Sequence, residues 1–273
     1  MIRIVVSVSL MFVASSGWSV ERIVSINQCA DELLLNIVPP DRIISVTHFV
    51  KDPRISWDAD LARDIPGNSG RAEEVMSHRP DLVFAGDFSA RSTVNLLRGL
   101  GVRVIELAHP SSIDDVLDLI AQVGQETGFV KEAETIRTKL SSSRQASSPQ
   151  TTITAAVYQP NGYTVGKGSL INEVLELAGI RNVAAFRGLA SYDRYPMELL
   201  ILDKPDLLIL DPQVHASPSL SHEMLSHPAL DEVFAGARRV EVPPQAWACG
   251  THHVFAALKI IRAAAQSVRA GDG

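Results

Sequence analysis

The side chains best suited to chemistry lie near the C-terminus, in Cys249-Gly250-Thr251-His252-His253. Thiolate and neutral imidazole are ligands for soft and borderline metals such as zinc and copper. The spacing argues against a closed zinc site, because neither C-x-x-C nor H-x3-H occurs. His252 and His253 are adjacent, so on a helix they point about 100° apart. One is therefore read as capping a helix or lining a cleft and the other as solvated. The functional alternative makes one of them, or Tyr163, an axial or hydrogen-bonding ligand to a bound complex.

Other chemistries lack their signatures. Gly166-Lys167-Gly168-Ser169 does not have the spacing of a phosphate-binding P-loop, and no G-x-G-x-x-G follows a strand. No G-x-S-x-G nucleophile elbow or H-E-x-x-H helix appears. An enzyme would have to rest on Cys29, His48 or His252 without them, and the chain is read as a non-enzyme without a resident cofactor or metal. A receptor for a bare zinc or manganese ion would need several histidines and carboxylates converging. A net charge of −6 excludes the basic face that nucleic acid requires.

Short β-branched runs alternating with helical patterns must position these residues. Arg22–Ile26, Arg42–Thr47, Asp81–Ala85 and Val102–Leu107 read as strands, with helices over 30–37, 71–78 and 92–100. Strands recur at 153–158, 207–210 and 239–242, with helices over 169–178 and 252–268. That alternation predicts an α/β protein with mostly parallel sheets. Between the halves, residues 111–148 break the rhythm. Ser111 or Ser112 caps a helix with Asp114 and Asp115 in its first turn, and Gly124 and Gly128 bend or split it. The organisation is thus a lobe over 20–110, a bridging helix segment over 111–148 and a second lobe over 149–273.

One internal repeat relates the lobes. Glu73 opens a helix that ends at Pro80-Asp81-Leu82, and Glu198 opens one that ends at Pro205-Asp206-Leu207. Proline forces the residue before it out of the right-handed helical region, so each segment stops there and turns into a strand.

At the N-terminus, Arg3 precedes an apolar run from Ile4 to Ala14, and Gly17-Trp18-Ser19 supplies small residues for cleavage. The run is shorter than the roughly 20 apolar residues that span a bilayer. Residues 1–19 are read as a secretory signal, which predicts a soluble periplasmic protein beginning near Val20; a monomer is expected.

Three segments in this order and spacing resemble the periplasmic binding proteins of cobalamin and ferric-siderophore ABC importers. They are Arg22–Ile26 followed by Asp31-Glu32-Leu33-Leu34, the two Glu-x6-Pro-Asp-Leu stretches, and Gly166 to Gly179. The resemblance implies two α/β lobes joined by one long helix, a bulky metal complex held between them, and an inner-membrane permease with its ATPase as partner. It implies that Glu73 and Glu198 dock onto basic permease residues. Phe49, Tyr163, Tyr192 and Trp247 match positions where cobalamin-binding relatives place aromatics. Loops at strand carboxyl ends, where α/β ligands bind, add Asn27, Cys29, His48, Phe88 and His252. An anionic ferric siderophore would want arginines instead, with Arg187 or Arg194 as candidates. Such a fold places Cys29 and Cys249 on opposite lobes, where a disulfide would hinder access to the cleft. Free or ligand-facing thiols are therefore expected.

Overall fold

The structure, a computed structural model, describes residues 20–144, 153–210 and 223–271. The signal segment and the last part of the predicted connector lie outside these residues.

The first lobe contains β1 (Ile23–Ser25), α1 (Gln28–Ile37), β2 (Ile43–Thr47), β3 (Gly67–Asn68), α2 (Ala72–Ser77), β4 (Leu82–Gly86), α3 (Arg91–Gly99) and β5 (Arg103–Leu107). Its five strands are parallel, in the order β3-β2-β1-β4-β5. β4 is buried along its whole length, as expected of a parallel strand covered on both faces. The strand order reverses between β1 and β4, so their carboxyl-end loops open a crevice. Asn27 sits in one of these loops and caps α1, its side-chain oxygen accepting from the Ala30 amide at 3.0 Å.

The connector is a helical hairpin, α4 (Ile113–Thr127) and α5 (Val130–Arg144). Ser112 caps α4 in a reciprocal box with Asp115, the Ser–Asp signature anticipated for this start. α4 ends at Gly128, whose φ of 85° is a left-handed conformation that favours glycine. Gly124 stays within α4 and lets α5 come close: a Cβ there would lie 2.5 Å from that of Ala133. α4 packs on helices of both lobes and is the interlobe helix.

The second lobe contains β6 (Ile153–Tyr158), β7 (Tyr163–Thr164), α6 (Leu170–Leu177), β8 (Ile180–Asn182), α7 (Val183–Phe186), β9 (Asp193–Arg194), α8 (Met197–Asp203), β10 (Leu207–Leu210), α9 (Pro228–Val233), β11 (Arg239–Glu241) and α10 (Val254–Ala270). Four strands form a parallel sheet in the order β11-β10-β6-β8, and β7 and β9 make a separate antiparallel ribbon. The protein is therefore α/β with two parallel sheets. One buried apolar cluster runs through both lobes, from Leu33 through Ile120 and Val174 to Ile261.

The repeat has a physical function in each lobe. Arg79 and Lys204, each before its proline, adopt left-handed φ values of 48° and 43°. The following aspartates tie the start of the central strand. Asp81 accepts from the Glu21 and Arg22 amides at 3.0 Å, and Asp206 accepts from the Thr154 amide and hydroxyl at 2.8 Å.

Candidate functional site

A cavity of about 580 Å³ opens between the lobes. Phe88, His109, Pro110 and Ser111 line it from the first lobe and the start of the connector; Gln159, Ser169, Tyr192 and Trp247 are among those lining it from the second. Among the described residues, none that lines it is Asp, Glu, Lys or Arg. Its walls are mainly apolar and aromatic, with hydroxyls, an amide and one imidazole as polar groups. Such a surface desolvates a large flat ligand at small side-chain entropy cost.

The predicted binding residues do not all reach this cavity. Tyr192 and Trp247 line the cavity, with Trp247 almost wholly buried, and Phe88 projects into it at 88% exposure. Phe88 meets His109 edge-on, with ring centroids 6.2 Å apart. Tyr163 stands behind Tyr192, the rings stacked at 4.6 Å, and Arg194 covers the Tyr163 ring at 5.0 Å. The β7–β9 ribbon sets that stack by placing Tyr163 opposite Arg194.

Asn27 and Cys29 line a side cavity of about 40 Å³, which shares Phe88, His109 and Pro110 with the larger one. His48 and Phe49 line neither. A Cβ at Gly67 would lie 2.5 Å from His48 Nδ1, so that imidazole packs over β3, and Phe49 is exposed. Arg187 pairs with Asp203 rather than facing the cavity.

Cys29 is not a free thiol. It is bonded to Cys249, with Cα atoms 5.0 Å apart, which corrects the expectation of free or ligand-facing thiols. The reason lies in where 245–253 packs: it belongs to the joint between the lobes, not to a moving rim. Thr251 Oγ1 donates to Glu32 Oε2 at 2.9 Å, Gln245 Nε2 donates to the Pro53 carbonyl at 3.0 Å, and His253 Nε2 lies 2.8 Å from Asp58 Oδ2. The disulfide therefore closes a contact that is already made and leaves the larger cavity open.

His252 belongs to this joint too and does not line the larger cavity. Its ring centroid is 4.0 Å from that of His253. Burial, and then the neighbouring His253, push its imidazole down to about 4. Beside it, burial pushes Glu32 up to about 7, partly offset by His253 and Thr251. Burial acts to raise Asp58 as well, but hydrogen bonds from His253 and Asn36 outweigh it and hold this carboxyl below the ordinary range. Asp31, completely buried in α1, is pushed up to about 7 by the same desolvation, against hydrogen bonds from Ser25 and Thr47.

His109 escaped the sequence reading, although it stands two residues beyond β5, at a strand carboxyl end where that reading placed other candidates. Ser169, read only as the start of a helix over 169–178, is the N-cap of α6 and lines the cavity. Glu73 and Glu198 are exposed in the first turns of α2 and α8.

Comparison with known proteins places this geometry. A cobalamin-binding protein of Halobacterium salinarum is 27% identical over 197 residues, which cover 69% of this chain and 53% of that protein. The chain thus spans about half the length of this curated relative. A possible iron-binding, periplasmic solute-binding protein from Staphylococcus epidermidis has a similar structure, with a TM-score of 0.74 at 21% identity, covering 90% of this chain and 99% of that one. The periplasmic heme-binding protein HutB of Vibrio cholerae superposes with a TM-score of 0.74 at 19% identity, over 89% and 97% of the two chains. The family model described as periplasmic binding protein matches residues 23–240, most of the chain and both lobes, and the chain therefore belongs to that family.

Proposed function

We propose that this chain captures a bulky chelated metal complex, best matched by a corrinoid, in the interlobe cavity and delivers it to the permease of an ABC importer. One observation carries the reading: a large cavity walled by Phe88, Tyr192, Pro110 and Trp247, with no Asp, Glu, Lys or Arg lining it among the described residues. An anionic ferric siderophore would call for arginines there; Arg187 and Arg194 are engaged elsewhere. The cobalamin-binding relative supports the corrinoid. His109 favours a second reading, an iron porphyrin, because it brings an imidazole to the cavity wall where it can meet a ligand's metal.

The protein acts by binding without turnover, as a periplasmic monomer exported by residues 1–19. Titration with cobalamin, hemin and a ferric hydroxamate, followed by tryptophan fluorescence and visible absorption, tests this. One-to-one binding of cobalamin is expected. Tight hemin binding with a shifted Soret band that is lost in His109→Ala selects the porphyrin, and no binding of any complex overturns the reading.

Glu73 and Glu198 are the proposed docking pair, one exposed carboxylate on equivalent helices of the two lobes. Each substitution to Lys perturbs an exposed first-turn position by no more than about 1 kcal/mol. Against basic permease residues it replaces attraction with repulsion. The Glu73→Lys/Glu198→Lys variant is expected to bind ligand normally yet fail to pull down its permease and to support uptake. Normal uptake would reduce both glutamates to ordinary helix-start residues.

A further inference from the structure

We propose that Asp58, His252 and His253 form a site for one borderline divalent transition-metal ion, best matched by Zn²⁺, which ties the two lobes together outside the ligand cavity. One ligating atom from each residue lies within 4.8 Å of the others. Two imidazoles and a carboxylate are a donor set that zinc accepts, the fourth tetrahedral position being left to water. At metal–ligand distances of about 2.0–2.1 Å, tetrahedral ligands stand roughly 3.3 Å apart. To hold the ion the 2.8 Å Asp58–His253 contact opens by a fraction of an ångström, and separations of up to 4.8 Å close by as much as about 1.5 Å through side-chain rotation.

The surroundings favour binding over a simple ion pair. Asp58 and His253 already complete one hydrogen bond, which leaves His252 unexplained: its Nδ1 is buried and has no partner among the described residues. A buried imidazole nitrogen without a partner is costly, and a metal at the adjoining pair gives it one. The ligand-bearing segments are held in place independently of any ion. Ser56 Oγ donates to Glu32 Oε1 at 3.2 Å and accepts from the Asp58 amide at 3.2 Å, and Thr251 Oγ1 reaches the other Glu32 oxygen from the second lobe. The Trp57 ring meets that of His253 edge-on, at a centroid distance of 5.3 Å. Such supporting contacts orient metal ligands before the ion arrives. Because Asp58 belongs to the first lobe and both histidines to the second, the bound ion is a second cross-link beside Cys29–Cys249.

The test uses the tag-free, disulfide-bonded exported protein, stripped with EDTA. It is titrated with ZnCl₂ against a chromophoric chelator, and with CoCl₂ to read the ligand-field spectrum. One equivalent per chain is expected, with a tetrahedral Co²⁺ spectrum and a higher thermal midpoint in zinc than in EDTA. His252→Gln breaks no hydrogen bond found here and preserves the Asp58–His253 pair, so it should fold as the parent does. It is expected to weaken zinc binding by about tenfold or more and to abolish the midpoint shift, as is Asp58→Asn. Substoichiometric or non-saturating uptake, or unchanged affinity in His252→Gln, overturns the proposal. Cobalamin titration of the same samples reads the cavity separately, so failure of one site is distinguishable from failure of the other.

Discussion

Cutting the Cys29–Cys249 cross-link measures how much of the stability comes from joining the lobes. The two cysteines are 220 positions apart in sequence, and their Cα atoms are 5.0 Å apart in the fold. For a closed loop of that length the chain-entropy relation gives about 18 cal/mol/K, or about 5 kcal/mol at 25 °C, removed from the unfolded state by the bond. The native joint loses little, because Thr251–Glu32, His253–Asp58 and Gln245–Pro53 remain. Cys29→Ala/Cys249→Ala is therefore expected to fold and to bind ligand one-to-one, with stability lower by about 3–5 kcal/mol. Urea unfolding followed by circular dichroism, on this variant and on the parent with and without reductant, provides the measurement. An unchanged midpoint would refute the entropic argument, since the cross-link would then not restrain the unfolded chain. Normal folding with lost binding would show instead that the bond shapes the cavity wall, where both cysteines border the side cavity.

Trp247→Ala should weaken ligand binding by about 2 kcal/mol, roughly 30-fold, whereas Trp57→Ala, outside the cavity, should change it little; equal affinities in a fluorescence or absorbance titration would displace the site. The buried Asp31 carboxyl, raised to about 7, keeps in the folded state a proton that the unfolded chain has already released. Its contribution to stability is thus complete at low pH and is lost as pH rises towards about 7, with a slope of at most about 1.4 kcal/mol per pH unit. Asp31→Asn should remove that component from the pH dependence of the urea midpoint, and an unchanged profile would contradict it. Lys204, left-handed at φ 43° and exposed, should gain about 1 kcal/mol on substitution by Gly, read as a higher thermal midpoint; a lower one would mean that the residue is not strained.

The alternation of elements was legible in the chain because its causes are local. Buried parallel strands such as Leu207–Leu210 are continuous apolar runs, and helices such as Ile113–Thr127 carry periodic apolar positions behind a Ser–Asp cap. The Pro-Asp repeat was equally visible, since proline acts on its immediate neighbour. The β7–β9 ribbon was not, because strands of two residues have no period to read, yet it places Tyr163 behind Tyr192. Part of the cavity was foreseen: strand carboxyl ends converge in α/β folds, which pointed to Phe88 and Trp247, while Tyr192 came from the family resemblance. Only the tertiary structure decided that Cys29 pairs with Cys249 and that His252 faces Asp58 rather than the cavity. Those contacts join segments roughly 200 residues apart, and their distances depend on how the C-terminal segment packs against α1, which no local pattern encodes.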